Sequence, residues 1–583
     1  MSTAEVPTRR AAAPAPGPRR SPGRLTFAAG VVAVLAGALA LRVWGLHSGL
    51  PWIFNVDEGA HFVPRAIGMF DHSYDPGYFI NPPALTYVFH VAFWLRWGGD
   101  GVREQFAGDP SAVWAFARAI AAVLGTLSVG LLAWAGVRFF DRRLALVAAV
   151  LLAVAFLPVH YAHFALNDAP MLAPVCLALV GAAGVLHGGR MRAFALAGLG
   201  LGLATAMKYT AGIVLLPLLA AGALAPLSRA ARLRGLVLAA VVAAVAFVIA
   251  NPYALLDFHT FKAGLSEQSA ASSDGGGKLG LSDEHGLSYY AATLLWGLGF
   301  VPVAAALGGA VWLAVRDRRT ALVLVPAPVL FLAFMGSQDR FFARWLLPIY
   351  PVLILLAAWA AVEALGVVRA RVALLRRSPA WTPALVAAVV LGVQGLVYAV
   401  HNDRVLASTD TRALTRTWMV QHIPEGSKIV LEPVTPAPFV RDLDRPSRAT
   451  PTGDRWIKRR ISHFRVTRSG RLEPLGEFRL EDYERTLRPD LVGSYLRGGY
   501  CWVITGSTQY GRALAEPGEA PWAIRYYDEL RRRGDVVYEV GPFGRGTDEP
   551  PFSFDDSFNY RPLGYARPGP RIVVYRLHGG RCT

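Results

Sequence analysis

The stretch that decides the fold runs from Leu25 to Leu46 and reads LTFAAGVVAVLAGALALRVWGL. It is long enough to cross a bilayer as a helix, because a spanning helix needs about 20 apolar residues. Arg42, Trp44 and Trp52 follow at its far end, and arginine and tryptophan are typical of the boundary between membrane and water. We therefore predict a first membrane-spanning helix here, with the chain emerging on the far side near Trp52.

The composition of the whole chain agrees with a membrane protein. Hydrophobic residues make up 54% of the 583 residues, which is more than a soluble protein of this length carries. The net charge of +18 could indicate nucleic-acid binding, but the basic residues form short clusters between apolar runs, as topology signals do. We therefore expect contacts with membrane lipids and no nucleic-acid partner. Residues 1–24 are rich in Ala, Pro and Arg and predict a disordered cytoplasmic tail.

Apolar runs recur through residues 25–400 and predict about eleven transmembrane helices in a polytopic α-helical membrane domain. Their predicted bounds are 25–46, 114–139, 144–161, 169–186, 193–208, 209–226, 235–253, 289–315, 320–336, 345–365 and 381–400. Two of them, 193–208 and 209–226, are short, so we expect a pair of helices that meet near the outer surface with Lys208 at the apex. The inner segments carry about twice as many Lys and Arg as the outer ones, which predicts a cytoplasmic amino terminus in the plasma membrane.

Residues 401–583 have the composition of a soluble domain, and we predict a small C-terminal extracytoplasmic α/β domain there. The predicted helices are 411–422 and 520–533, and the predicted strands are 427–431, 502–505, 536–540 and 571–575. Cys501 and Cys582 both lie in this domain, where a disulfide could persist, while Cys176 lies in a span and is expected to pack as an apolar residue.

Two surface segments of the chain have a biased composition. The outer loop 255–287 is rich in Gly and Ser, and its part at 272–277 is expected to be mobile. Residues 455–471 are strongly basic, which is typical of a solvated face or of a surface that contacts an anionic lipid or polymer.

Two adjacent carboxylates follow the first span, in the stretch Asn55 to Phe62, which reads NVDEGAHF. Asp57 and Glu58 could be a solvated loop, or a helix cap and its first turn. If a helix continues from Asp57, then His61 and Arg65 share one stripe with it, since residues four apart lie on the same face. Such a stripe of acid, imidazole and guanidinium could face a substrate.

On the predicted topology, acids and bases gather at the outer side of the membrane, and such a convergence is a functional-site hypothesis. The candidate residues are Asp57, Glu58, His61, Arg65, His163, Asp168, Lys208, Arg340 and Arg344. Taken singly, each has a plainer interpretation, since histidines are common at membrane interfaces and arginines anchor to lipid headgroups.

Several short motifs occur in an order that resembles a known family. They are the Asp57-Glu58 pair with His61, the Asn-Pro-Pro turn at 81–83, His-Phe-Ala-x-x-Asp at 163–168, Met-Lys-Tyr at 207–209 and Arg-Trp-Leu-Leu-Pro at 344–348. Together they resemble the membrane glycosyltransferases of the protein O-mannosyltransferase and lipid A aminoarabinose-transferase type, over residues 25–365. The resemblance implies a GT-C-like helical bundle and a sugar donor carried on a polyprenyl phosphate.

The resemblance also implies site residues. An acid in the first outer loop serves catalysis in that family, and by position this acid is Asp57, with Glu58 beside it and Asp168 in the second acidic motif. The chain lacks the large domain that eukaryotic protein mannosyltransferases insert between later spans. The acceptor therefore stays open among an envelope lipid, a glycan and a protein.

The chemistry suits these residues independently of the family. A sugar on a lipid phosphate has an activated leaving group, so the enzyme must deprotonate an acceptor hydroxyl and bind the phosphate. A carboxylate can take the proton, and Lys208, Arg340 and Arg344 can hold the phosphate. Direct displacement predicts inversion at the sugar. A divalent metal shared by Asp57, Asp168 and His163 is a further hypothesis, since carboxylate and imidazole both bind metals.

Two other classes of function compete with a glycosyltransferase. A transporter or a flippase for lipid-linked glycans also uses membrane acids, but it should show matched halves and charged or broken helices near the midplane. A non-catalytic assembly protein is the third interpretation, and it leaves the acidic pair and Lys208 without a role.

Overall fold

The structure is a computed structural model. It describes residues 23–71, 73–273, 279–281, 285–372, 376–459, 464–466, 472–474, 483–544, 546–547 and 549–582. Most of the predicted tail, residues 274–277 of the predicted mobile loop, and much of the basic segment from 460 onward lie outside the described residues.

The part before residue 407 is built of helices. The α-helices are Arg24–Val43, Val56–Ala60, Phe62–Gly68, Ala84–Trp97, Gly99–Gly108, Pro110–Phe139, Arg142–Val154, Phe156–Tyr161, Leu172–Gly188, Met191–Met207, Leu215–Leu224, Arg229–Ala250, Tyr253–Leu256, Phe258–Ser273, Gly286–Gly297, Phe300–Arg316, Arg318–Leu324, Pro326–Gly336, Tyr350–Arg371 and Thr382–Leu406. Two 3₁₀ helices, Tyr209–Val214 and Ala343–Ile349, precede α-helices.

Six helical stretches of the described chain are long and apolar enough to cross a membrane, so the protein is a multi-pass membrane protein. They are Arg24–Val43, Pro110–Phe139, Arg229–Ala250, Arg318–Gly336, Ala343–Arg371 and Thr382–His422, and the apolar part of the last is the helix Thr382–Leu406. Leu172–Gly188, Met191–Met207 and Tyr209–Leu224 are apolar but shorter, as predicted for the pair around Lys208.

The predicted span 289–315 is not one straight helix. It consists of Gly286–Gly297 and Phe300–Arg316, which are bent by 114° relative to each other. Gly299 between them has a φ of 118°, which a residue with a Cβ rarely adopts. Pro302 has no N–H to donate to a carbonyl one turn earlier, so a continuous helix would lose a hydrogen bond here.

Other helices were not predicted. Two of them, Ala84–Trp97 and Gly99–Gly108, lie between the first two predicted spans. Phe89 and Phe93 of the helix Ala84–Trp97 are fully buried. Much of the outer segment expected to be a Gly- and Ser-rich loop is the helix Phe258–Ser273. The last membrane helix also continues beyond His401 and ends at Leu406.

Two residues expected at the water boundary are buried instead. Arg42 is fully buried, and its guanidinium donates to the carbonyl oxygens of Leu152 and Ala153 at 3.1 Å each. Trp52 packs against Phe439 of the terminal domain, with ring centroids 5.9 Å apart. Trp44 remains 43% exposed.

Close helix packing positions the helix Met191–Met207, which leads to Lys208. The helix Met191–Met207 lies between Leu172–Gly188 and Arg229–Ala250, and small residues line these contacts. A Cβ added to Gly198 would lie 2.3 Å from the carbonyl oxygen of Ala239, so only glycine allows this approach. Lys208 follows the helix directly, where the chain turns into Tyr209–Val214.

The terminal domain is an α/β unit with seven strands in the described residues. They are β1 Lys428–Leu431, β2 Ile457–Lys458, β3 Phe464–Val466, β4 Leu472–Pro474, β5 Trp502–Gly506, β6 Gly534–Val540 and β7 Ile572–Leu577. The main sheet has the order β2-β1-β5-β7-β6, in which β1 pairs in parallel with β2 and β5, and β7 pairs antiparallel with β5 and β6. The short strands β3 and β4 form a separate hairpin.

Helices cover the sheet of the terminal domain. They are Thr411–His422, Asp490–Gly498, Ser507–Ala515 and Pro521–Arg533, with the 3₁₀ turns Ala437–Val440 and Glu484–Thr486. The short helix Phe554–Phe558 instead has Phe554 in the core of the membrane domain. Four strands and two helices lie within a few residues of their predicted positions. Cys501 and Cys582 form a disulfide with their Cα atoms 5.2 Å apart, and Cys176 is buried and free.

Candidate active site

Four charged side chains form a row in which acids and bases alternate. Arg344 Nη2 donates to Asp57 Oδ2 at 2.6 Å, and Arg344 Nε lies 3.9 Å from Asp168 Oδ2. Lys208 Nζ forms an ion pair with Asp168 Oδ1 on the other side. Asp57 is the open end of the row, with 34% of its side chain exposed, against 3% for Asp168 and 10% for Lys208. The structure therefore joins four of the residues predicted from separate outer segments.

The local sequence explains how Asp57 is presented. Asn55 caps the short helix Val56–Ala60 by accepting the backbone N–H of Glu58 at 3.1 Å. Asp57 then lies in the first turn, where a carboxylate interacts favourably with the free N–H groups of the helix. The helix ends at Ala60, so Asp57 is presented by a short, capped helix.

Glu58 points away from Asp57 into the protein. Its two carboxylate oxygens accept hydrogen bonds from Arg118 at 2.7 and 2.8 Å, and Oε1 also accepts the backbone N–H of Ala165 at 2.8 Å. Arg118 donates further to the carbonyl oxygens of Leu46 and Ser48. Glu58 is fully buried, so this arrangement favours an orienting role for it rather than contact with substrate.

The stripe of Asp57, His61 and Arg65 is only partly formed. His61 Nε2 lies 3.5 Å from Asp57 Oδ1, but His61 separates two helices because Pro64 cannot continue the first one. Arg65 folds back and donates to the carbonyl oxygens of Ala60 and His61. His61 and Arg65 both lie against the Tyr78 ring, at 5.2 and 3.9 Å from its centroid. Arg65 therefore caps the end of the helix Val56–Ala60 and does not itself pair with Asp57 in the contacts described here, whereas His61 lies beside Asp57.

Side-chain amides that donate to backbone carbonyls hold the segments of Asp168 and Lys208 in place. Asn167 Nδ2 donates to the carbonyl oxygen of Met207 at 2.6 Å, which fixes the turn before Asp168 against the residue before Lys208. Asn251 Nδ2 donates to the carbonyl oxygen of Ala206 at 3.3 Å. The ion pair is thus held by two neighbouring residues that do not themselves carry charge.

His163 does not join the row. Its two ring nitrogens contact the carbonyl oxygens of Val159 and Trp44 at 2.9 Å, and Nε2 lies 3.3 Å from Asp403. The proposed metal set of Asp57, Asp168 and His163 is therefore not assembled, and both carboxylates face cations instead. Among the described residues, no group of three or more His, Cys, Asp and Glu side chains is arranged to hold a metal ion.

Arg340 and Arg344 lie against the same aromatic ring. The guanidinium carbon of Arg340 is 5.4 Å from the centroid of the Phe342 ring, and that of Arg344 is 4.5 Å from the same ring. The two arginines therefore flank one aromatic side chain, and Arg344 also donates to Asp57.

Sequence reasoning missed three polar residues that support the site. Arg118 lies inside a predicted span, and an arginine in an apolar run requires a partner such as Glu58. Tyr161 and Asn559 are fully buried or nearly so, and the hydroxyl of Tyr161 donates to Asn559 Oδ1 across 398 residues of sequence. No local pattern could have indicated that second contact.

Part of the chain matches a known protein family. Residues 106–254 match the model of a family described as dolichyl-phosphate-mannose-protein mannosyltransferase. A comparison with curated proteins finds no match. Among solved structures, the apo oligosaccharyltransferase of Archaeoglobus fulgidus is 14% identical with a TM-score of 0.52, over 91% of this chain and 76% of that chain.

The chain has the GT-C fold. The same oligosaccharyltransferase tethered with an acceptor peptide is 15% identical, with a TM-score of 0.50 over 91% of this chain and 74% of that chain. ArnT from Cupriavidus metallidurans in the apo state is 16% identical, with a TM-score of 0.49 over 84% of this chain and 95% of that chain. The resemblance that the motifs predicted is confirmed, and the prediction of a membrane glycosyltransferase agrees with both the family match and the GT-C fold.

Proposed function

We propose that the protein transfers a sugar from a polyprenyl-phosphate donor to a hydroxyl of an envelope lipid, glycan or protein. The observation that carries this proposal is the row from Asp57 through Arg344 and Asp168 to Lys208. It places a partly exposed acid beside Arg344 and in one row with Lys208, and both cations can hold a phosphate. The match of residues 106–254 to a family described by a lipid-phosphate sugar supports the same donor class.

Asp57 is the general base in this proposal. A base must reach the acceptor hydroxyl, and Asp57 is the acid of the row with a substantially exposed side chain. Asp168 is almost fully buried between Lys208 and Arg344, which suits a residue that positions cations. This difference in burial supports assigning different roles to two carboxylates that the sequence left in competition.

Lys208 and Arg344 bind the donor phosphate. A buried cation needs an anionic partner, and without donor Asp168 and Asp57 supply the negative charge. When the donor binds, its phosphate accepts hydrogen bonds from Arg344 that Asp57 accepted before, since a guanidinium binds phosphate through two parallel hydrogen bonds. Asp57 is then less strongly paired and becomes a better base, so donor binding prepares the proton acceptor.

The transfer itself is a direct displacement. Asp57 takes the proton of the acceptor hydroxyl, and the acceptor oxygen forms a bond to the anomeric carbon. The bond between that carbon and the phosphate oxygen breaks, and the lipid phosphate leaves with the electron pair. Because one displacement occurs, the configuration of the sugar is inverted.

The site lies on the outer face of the plasma membrane in this proposal, in a bundle of about eleven crossings. The amino terminus is cytoplasmic, and the domain after the last membrane helix is extracytoplasmic. The distribution of basic residues between inner and outer segments supports this orientation.

Mass spectrometry of the cell envelope tests the function. Lipids, glycans and proteins of cells with and without the protein are compared, together with cells that carry Asp57→Asn. We expect one sugar to be missing from one acceptor class in both the deletion and the variant. An unchanged set of envelope sugars in the deletion strain contradicts the proposal.

A further inference from the structure

The segment just before the proposed base lies between the membrane domain and the terminal domain. We call residues 52–55 the connector, and Asp57 follows it in the sequence by two residues. Trp52 is buried in the core of the terminal domain, whereas Ile53 is buried in the core of the membrane domain. Phe54 packs against the terminal domain again. Successive side chains of the connector are therefore held by different domains.

Arg412 of the terminal domain lies over the ring of Phe54. Its guanidinium carbon is 4.0 Å from the ring centroid, and Nη1 makes a long hydrogen bond of 3.5 Å to the carbonyl oxygen of Phe54. Asp410 accepts two hydrogen bonds from the same guanidinium, from Nε at 2.9 Å and from Nη2 at 2.8 Å. Two parallel bonds fix the plane of a guanidinium, so Arg412 presents an oriented cationic face to the ring.

Arg416 holds Trp52 in the same way, one helical turn later. Its guanidinium carbon is 4.7 Å from the centroid of the Trp52 ring, and Nε donates to the carbonyl oxygen of Phe439 at 2.9 Å. The rings of Trp52 and Phe439 are in contact as well. Residues four apart share one face of a helix, so one face of the helix Thr411–His422 holds two aromatic side chains of the connector.

The connector continues directly into the helix that carries Asp57. Asn55, its last residue, accepts the backbone N–H of Glu58 with its side chain and the backbone N–H of Gly59 with its carbonyl oxygen. A Cβ added to Gly59 would lie 3.4 Å from Cγ2 of Ile53, so Ile53 packs directly against this helix. A shift of the connector therefore moves the start of the helix and the carboxylate of Asp57 with it.

We propose that Arg412 and Arg416 are positioning residues that keep Asp57 within reach of the acceptor hydroxyl by fixing the connector. The terminal domain then acts on the reaction through the position of the base. This inference rests on the proposed function, because it takes Asp57 as the base.

A purely structural role for Arg412 makes a different prediction. The buried pair of Glu58 and Arg118 also holds the helix of Asp57, from the side of the membrane domain. If this pair is sufficient, loss of Arg412 affects the stability of the terminal domain and leaves the helix ordered. If the connector is needed as well, loss of Arg412 loosens the helix while the strands of the terminal domain stay protected.

Hydrogen–deuterium exchange of the purified full-length protein distinguishes these two roles. Arg412→Met keeps an apolar stem and removes the guanidinium. The backbone N–H groups of Glu58, Gly59 and His61 all donate hydrogen bonds at this helix, so their exchange reports its order. Loss of a desolvated contact between a cation and an aromatic ring should make these amides exchange about 10-fold faster, while strands β1 and β5 exchange as in the wild type.

Arg459→Met is the matched control variant. Its guanidinium carbon lies 4.7 Å from the centroid of the Tyr495 ring, so the change removes a similar contact inside the terminal domain. The three amides at the helix of Asp57 should exchange at the wild-type rate in this variant.

The rate of sugar transfer in cells provides the second measurement. The probe is the envelope sugar that is missing in Asp57→Asn, and its initial rate of incorporation is followed by mass spectrometry after expression begins. A base displaced by about 1 Å can lower the rate about 100-fold, so we expect incorporation about 10- to 100-fold slower in Arg412→Met at equal protein level. Arg459→Met should incorporate the sugar at the normal rate.

The outcomes separate the inference from the proposed function. A deletion strain that lacks no envelope sugar contradicts the proposed function. Unchanged exchange at Glu58, Gly59 and His61 in Arg412→Met overturns the inference, and so does faster exchange with normal sugar incorporation. If Arg412→Met does not fold, Phe54→Leu decides the test, because it removes the same contact from the side of the connector. Wild-type exchange or normal incorporation in that variant overturns the inference.

Discussion

Arg344 Nη2 donates a hydrogen bond of 2.6 Å to Asp57 Oδ2, and this contact joins residues 287 positions apart. Asp57 stands on a short helix after the first span, and Arg344 lies in a 3₁₀ turn before the helix Tyr350–Arg371. The pair therefore brings together two ends of the membrane domain. It also places the proposed base directly beside a proposed phosphate ligand.

Replacing the proposed base should abolish transfer without removing the donor site. Asp57→Asn keeps shape and loses the proton-accepting carboxylate, so we expect turnover to fall by about 100- to 10,000-fold. Affinity for the lipid phosphate should stay the same or increase, because Arg344 loses a competing anion. Turnover and undecaprenyl-phosphate affinity are measured on purified protein, with the exposed Asp100→Asn as control. Near-normal turnover in Asp57→Asn removes Asp57 from the mechanism.

Removing the charge of Lys208 should act on the donor rather than on the acceptor. Lys208→Met retains an apolar stem and leaves Asp168 without its ion-pair partner. We expect the donor concentration needed for half-maximal rate to rise much more than the acceptor concentration. Steady-state kinetics with each substrate varied in turn measures the two values. Equal effects on both favour a structural role for Lys208.

The Glu58 and Arg118 pair should be important for stability. Both side chains are buried, so Glu58→Ala leaves an uncompensated guanidinium and should destabilise the fold by about 3–5 kcal/mol. The double variant Glu58→Leu with Arg118→Met should be less destabilised than the sum of its single changes, because no buried charge remains. Unfolding of purified protein followed by intrinsic fluorescence provides the comparison. Wild-type stability in Glu58→Ala would instead indicate that water reaches this pair.

The terminal domain should lose stability as pH rises. Burial raises the pKa of Glu432 to about 8, although its carboxylate accepts hydrogen bonds from Gly506 N and Tyr527 Oη at 2.8 Å. The folded state therefore holds a proton that the unfolded state releases above about pH 4.3. The contribution of this proton to stability is therefore full below that pH. It decreases as the pH rises and is lost above about pH 8, because Glu432 is then ionised in the folded state as well.

Thermal unfolding between pH 5 and 9 measures this dependence. Glu432→Gln stays neutral at every pH, so its unfolding midpoint should vary much less with pH than that of the wild type. The same slope in both proteins would assign the pH dependence to other groups.

The orientation in the membrane can be tested with intact cells stripped of their wall. Protease added to spheroplasts should cleave the terminal domain, because the basic residues predict a cytoplasmic amino terminus. A tag at the amino terminus should be cleaved only after lysis. The reverse pattern would place the proposed site on the cytoplasmic face.

Some parts of the fold could be predicted from local sequence. The helix Thr411–His422 lies at the predicted residues, because an aspartate caps it and the chain leaves it at Ile423 and Pro424. The strands near Lys428 and Trp502 also follow from short runs of β-branched and aromatic residues. The bend at Gly299 was missed because apolar content alone does not show where a helix breaks.

The sequence by itself determined that this is a multi-pass membrane protein with a terminal α/β domain, and it named nine candidate site residues that include Asp57, Asp168, Lys208 and Arg344. Long apolar runs and rare charges are local properties, so they can be recognised without contacts. Only the tertiary structure decided which charges meet. It placed Glu58 on Arg118, turned His163 away from the row, and brought Asn559 to Tyr161. Such pairings depend on how helices that are distant in sequence pack together. An unpaired buried charge is costly, so each buried charge is paired, but the linear order of residues does not reveal its partner.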